Sequence, residues 1–228
     1  MKIYLSLLFS IFFFSMHGQI GLQFRYSSLN VEEWTDATKE ADLFKNNFDF
    51  GIDYWLRLKE YRVEFNPELY TSRASTEGNS ANYKSEVYGL STNTNFYIFD
   101  FIGDCNCPTF SKDGNFFTKG FFISATPMVE YHTKKAESVD DGPELKVNNT
   151  YFAGAIGAGV DIGLTDLITI TPYIRYKLTP NVSWDGLSQF EGMENVEDEK
   201  FLLKQLQFGV RLGFRPDYIR EQNKYRFR

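Results

Sequence analysis

The chain is short of nearly everything from which a binding or catalytic centre is usually built. Only two of its 228 residues are Cys, and they form a single Cys-x-Cys pair, Cys105 and Cys107. That excludes a framework of disulfides, and a zinc site needs about four ligands where no His or further Cys lies nearby. His occurs twice, at His17 and His132, too rarely for a His-built metal centre, so no cofactor or metal is expected. Basic side chains are in deficit, 24 Lys and Arg against 30 Asp and Glu, so nucleic acid is not an expected partner. No apolar run reaches the ~20 residues of a membrane-spanning helix.

Aromatic residues are plentiful instead. They make up 18% of the chain, with 23 Phe and 14 Tyr, yet the mean hydropathy is negative at −0.35. Many rings without a long apolar run means rings alternating with polar residues, as along strands. The opening "MKIYLSLLFSIFFFSMHGQ" stands apart, with Lys2, an apolar run from Ile3 to Phe14 and then small and polar residues. This layout predicts a secretory signal peptide over residues 1–18, cut before Gln19, which takes Lys2 and His17 with it.

Eight segments beyond it follow a period of two: Gln19–Leu29, Asn46–Lys59, Tyr61–Arg73, Tyr83–Phe101, Phe121–Lys134, Thr150–Leu164, Ile168–Thr179 and Gln205–Asp217. The last reads "QLQFGVRLGFRPD", with Leu206, Phe208, Val210, Leu212 and Phe214 on one side and Gln205, Gln207, Gly209, Arg211 and Gly213 on the other. An even strand count puts both chain ends on one side of a closed barrel. Short turns at Leu58–Tyr61 and Leu164–Leu167 are expected on that side. Longer polar loops at Asn30–Lys45, Ala74–Asn82, Glu137–Asn148 and Pro180–Lys200 are expected on the other. Ile102–Gly120 is a long connection on the short side.

The alternation fits a soluble calyx or sandwich with apolar rows inside, or a membrane barrel with the rows reversed. Three considerations favour the membrane. Eight rows of Phe, Tyr, Leu and Ile would overfill an eight-stranded interior. Most strand glycines, Gly21, Gly51, Gly89, Gly157, Gly159, Gly209 and Gly213 among them, lie on the polar rows, where they leave room for long inward side chains. Charges on those rows nearly balance, which suits an enclosed network of Arg25, Asp49, Asp53, Arg57, Arg62, Glu64, Glu68, Glu130, Asp161, Arg175, Lys177 and Arg211. Facing lipid, each Arg near the midplane would cost roughly 2–4 kcal/mol. The fold expected is an all-β, closed, antiparallel eight-stranded transmembrane barrel over residues 19–217, with a side-chain-filled polar interior and a tail, 218–228.

The leader, the eight segments and the ending "QFGVRLGF" resemble the small eight-stranded outer-membrane β-barrels of Gram-negative bacteria. Phe214 matches the aromatic residue that closes the last strand of such proteins and that the barrel-assembly machinery reads. The chain departs from them by running on through Arg215–Arg228. The resemblance implies an outer-membrane location with the acidic loops outside and both termini periplasmic, and lipid and lipopolysaccharide as neighbours.

In an oxidising compartment Cys105 and Cys107 are candidates for a tight disulfide that stiffens a turn. Phe110, Phe116 and Phe117 in the same loop are candidates for docking a partner. Pro67, Pro127 and Pro172 sit on apolar rows and suggest bulges or rim positions. Trp34 and Trp184 are expected to anchor the interface. The acidic loop Ser183–Lys200 matches no calcium-loop spacing and is expected to be solvated. His132 shares an inward row with Glu130, Ser124 and Thr126, the wrong face for a lipid-cutting site, so no catalytic residue is expected. The function expected is structural or accessory rather than a general pore. The alternatives are a subunit of an outer-membrane secretion or assembly complex, docked through Cys105–Gly120 and the tail, and, third, a lipid A-modifying enzyme.

Overall fold

Alternation of side chains becomes alternation of environment. The computed structural model describes residues 19–31, 34, 35, 38, 43–58, 61–78, 81–99, 120–139, 142, 144–165, 167–190 and 200–214. The leader, the Cys105/Cys107 loop with Phe110, Phe116 and Phe117, half of the acidic loop (191–199) and the tail lie outside them. The strands are β1 (Gln19–Asn30), β2 (Asn46–Arg57), β3 (Val63–Glu77), β4 (Ala81–Phe96), β5 (Phe121–Ser138), β6 (Glu144–Val160), β7 (Ile162–Gly163), β8 (Ile168–Val182) and β9 (Phe201–Phe214). A helical turn, α1 (Leu187–Phe190), follows β8.

Each strand except β6 pairs antiparallel with the next, β6 pairs with β8, and β9 pairs back onto β1, with Ile20 opposite Phe214. β7 continues β6 in the same register against β8, so eight walls close the ring. Leu56 pairs with Phe65, and the chain of partners runs on through Thr94, Ala125, Ile156, Tyr176, Leu206 and Ser28 to Asn46, ten residues up β2 from its start. Eight tilted strands with such a stagger enclose a space only wide enough for side chains. Inward tyrosines use the glycines opposite them: a Cβ on Gly89 would lie 2.2 Å from the Tyr70 ring, and one on Gly209 2.3 Å from Tyr173.

The apolar rows face outward. Phe24, Phe50, Ile52, Leu69, Leu90, Val129, Ile156, Ile174, Phe208 and Leu212 are all exposed, and Phe152 most of all at 74%. The polar rows face inward, and Arg25, Asp53, Glu68, Glu130, Arg175 and Arg211 are buried. Spans such as Ile123–Tyr131 and Leu206–Phe214, at about 3.3 Å per residue and a tilt of about 40°, rise ~20–25 Å, the height of a lipid-facing belt. The chain is a transmembrane β-barrel turned inside out relative to a soluble one.

Several strands outrun the sequence expectation on the long-loop side. β3 reaches Glu77, β5 reaches Ser138 and β6 begins at Glu144, so the loops expected at Ala74–Asn82 and Glu137–Asn148 are mostly strand. Beyond the belt the pattern changes sign. On β6, Glu144, Lys146, Asn148 and Thr150 are exposed outward while Leu145 and Val147 pack inward. Once water replaces lipid outside, polar residues belong there.

The prolines make no bulges. Pro67 pairs with Thr92, Pro127 with Gly154 and Pro172 with Val210, each in unbroken register. Each interrupts the ladder only on its other side, as Pro172 does where β6 gives way to β7, because a missing N–H removes one bond without adding a residue. The register shift lies instead between Thr179 and Val182, beside Pro180 and at Asn181, whose φ is +56°.

Candidate functional site

The lumen is the site, and it is built in layers. Near the chain ends, Arg211 grips Asp53 through Nε (2.8 Å to Oδ2) and Nη2 (2.7 Å to Oδ1). Gln23 donates to the same carboxylate at 3.0 Å. Across the same end, the Tyr97 hydroxyl bridges Glu64 (2.8 Å) and Asp161, Thr171 also meets Asp161, and the Arg62 guanidinium lies 4.3 Å over the Tyr97 ring. Arg57 belongs to β2, but its side chain lies outside the described residues.

At mid-height Arg25 reaches from β1 to Asp49 (3.2 Å) and to Glu68. Ser91 and Asn93 donate to the other oxygen of Glu68 at 3.1 and 3.0 Å. Arg175 donates to Gln207 and Asn93 at 2.5 and 3.0 Å. Above them Glu130 receives Lys177, Tyr70 and, at 3.1 Å, His132. The His132 ring stands edge-on to Tyr151 at 4.9 Å and is buried. It is committed to Glu130, and neither Ser124 nor Thr126 is bonded to it. Buried charges survive because their partners are fixed and close.

Some polar atoms keep no protein partner, among them Nη2 of Arg175 and Oδ1 of Asn66. Both residues line a void of about 20 Å³ with Arg211 and Tyr173. That space admits a water molecule and is too small for a hydrated ion.

The long-loop end is closed by an apolar plug. Trp34 and Trp184, expected at the interface, are 6% and 1% exposed and lie inside the wall. Their rings meet edge-on at 5.5 Å, with Phe44 stacked on Trp184 at 5.9 Å and Phe201 edge-on to Trp34 at 5.2 Å. The belt ends outside where the rows turn polar, so the interior above it must supply its own oily core. Lys134 stands beneath this plug, beyond the belt that ends at Tyr131 on β5. Its Nζ donates to Tyr151 at 3.1 Å and to the Ser183 carbonyl, and lies 4.9 Å over the Trp34 ring. Burial pulls its pKa down to about 7, against a smaller upward pull from Asp185.

Sequence reasoning singled out the charged members of these layers but missed Tyr70, Tyr97, Gln23, Gln207 and Lys134. Tyr70, Gln23, Gln207 and Lys134 lie on inward positions of their strands and Tyr97 keeps the inward parity of β4 one residue past its end, so strand parity was the signal that could have found them. Among the described residues no group of His, Cys, Asp or Glu is arranged to hold a metal ion. What the arrangement does chemically is hold itself shut.

No family model matches the chain, and no curated protein does. Among solved structures it is similar to Ail, the attachment invasion locus protein of Yersinia pestis, at 13% identity over 87% of this chain and 100% of that one, with a TM-score of 0.49. Neisserial surface protein A is similar at 12% identity over 87% and 97%, with a TM-score of 0.41. The outer membrane protein OprG from Pseudomonas aeruginosa is similar at 13% over 85% and 95%, with a TM-score of 0.38. These likenesses are loose, and the barrel stands on its own strand pairing and surface.

Proposed function

We propose that the chain is an outer-membrane β-barrel protein with a structural or accessory role, and that it is not a general diffusion pore. Its neighbours in this reading are the membrane lipid and lipopolysaccharide. One observation carries the reading: cross-strand ion pairs span the lumen at successive heights and an aromatic plug covers its long-loop end. A conducting barrel needs a continuous water path, and side chains that satisfy one another across the bore leave none.

The test is electrical. The refolded full chain in planar bilayers is expected to give no stable single-channel steps at neutral pH in 1 M KCl. Reproducible steps of one conductance would overturn the reading. Fractionation of the native host, with the chain in the outer-membrane fraction, checks the location independently.

A further inference from the structure

Among the described residues the wall is not sealed along its whole height. β6 pairs with β8 only from Gly154 to Gly159 before β7 takes over. Above Gly154, β8 turns away through Pro180 and Asn181 to follow β9. Among the described residues the stretch Glu144–Ala153 is therefore paired only with β5. The Asp161 amide donates to Gly120 on the β5 side. By alternation, Glu144, Lys146, Asn148, Thr150 and Phe152 turn their N–H and C=O groups to the open side. Their side chains are exposed; Glu144, Lys146 and Asn148 stand beyond the belt, in water, and Thr150 lies opposite Tyr131 at its border.

Natural edges are usually shortened, bulged or broken by proline. This one is long, regular and free of proline. Its outer face also carries a repeating charge pattern that stops at the edge. Lys84, Lys135 and Lys146 stand directly opposite one another on β4, β5 and β6. Toward the tip, Glu137 and Glu144 stand opposite each other in the next outward row. Each Lys pairs diagonally with the Glu of the following strand: Lys84 with Glu137 at 3.2 Å and Lys135 with Glu144 at 3.7 Å. Lys146 is next in the series, and no described strand supplies its carboxylate.

We propose that the free edge of β6 is a docking site for an extended acidic peptide. The peptide adds as a strand antiparallel to β6 and places a Glu or Asp opposite Glu144, diagonal to Lys146. Main-chain bonds to Lys146, Asn148 and Thr150 supply the attachment, and the carboxylate sets the register. The site goes beyond the closed-lumen reading and does not depend on it.

The experiment uses the full chain refolded in detergent micelles, its folding checked by heat-dependent gel mobility, and two synthetic nine-residue peptides of alternating Thr and Val. One carries Glu at the central Thr position and the other Lys. The Glu peptide is expected to slow amide exchange at Lys146, Asn148 and Thr150, and to bind about two- to fivefold more tightly than the Lys peptide, the scale of one exposed ion pair. Lys146→Glu should reverse that preference. Asn148→Pro removes an N–H on the open side only, so it should abolish protection while the barrel still folds. Several results would overturn the proposal: no protection by either peptide, which makes Lys146 merely a guard on the edge; binding indifferent to both substitutions; or protection that grows with protein concentration alone, which makes a second copy the occupant.

Discussion

The Arg211–Asp53 pair allows the enclosed network to be tested quantitatively. Asp53 is 2% exposed and accepts bonds from Arg211 and Gln23, while Arg211 makes no other described contact of comparable quality. Asp53→Ala leaves a guanidinium inside a narrow wall without its anion. Stranding a buried charge in this way costs about 3–5 kcal/mol. Gly21 and Gly213 cannot relieve it by local rearrangement of the wall, since they are themselves packed against the pair: a Cβ on Gly21 would lie 2.4 Å from Asp53, and one on Gly213 2.7 Å from Arg211. Replacing both partners removes the stranded charge, so Asp53→Leu with Arg211→Met should restore stability to within about 1–2 kcal/mol of the parent. The assay is urea unfolding in lipid vesicles, followed by tryptophan emission and by gel mobility of the folded form. A loss below about 1 kcal/mol for Asp53→Ala, the range of a solvated pair, would refute an enclosed pair. So would a double variant as unstable as the single one.

The plug gives a second expectation: Trp184→Ala should cost about 3–5 kcal/mol and erase the near-ultraviolet dichroism of the coupled Trp34 and Trp184 rings, while an unchanged spectrum would place those rings apart. Lys134 gives a pH dependence. Its folded pKa of about 7 lies below its ordinary 10.5, so between those values the unfolded chain holds a proton that the folded chain lacks, and stability rises with pH across that window. Chemical unfolding from pH 7 to 10 should show this rise, at most about 1.4 kcal/mol per pH unit, and Lys134→Met should flatten it; an equal slope in the variant would contradict the burial of that amine.

How much of this was legible depends on whether the information was local. Inward and outward rows are a property of neighbouring residues, so "QLQFGVRLGF" already displays which side of β9 is oily. The strand ends were less legible because the code reverses where the solvent does. Leu145 and Val147 facing in, with Glu144 and Lys146 facing out, form a strand that no longer matches the pattern of Phe152 and Ile156 on the same β6. Trp34 and Trp184 look like interface anchors along the chain, and only the meeting of the segment after β1 with the segment after β8 buries them. The prolines do not make the bulges their sequence suggests, because a missing donor can interrupt one ladder without shifting register. The free edge of β6 was invisible, since no residue of β6 records that β8 turns away at Pro180.

The most direct test of the central claim asks which row touches lipid. Single cysteines at Leu206, Phe208, Val210 and Leu212, in a chain with Cys105→Ser and Cys107→Ser, can carry a small fluorophore in vesicles holding brominated lipid. The account predicts strong quenching at all four, with the depth of maximal quenching moving steadily from one side of the bilayer to the other. Labels that stay unquenched, on a chain that is folded and soluble without detergent, would contradict it.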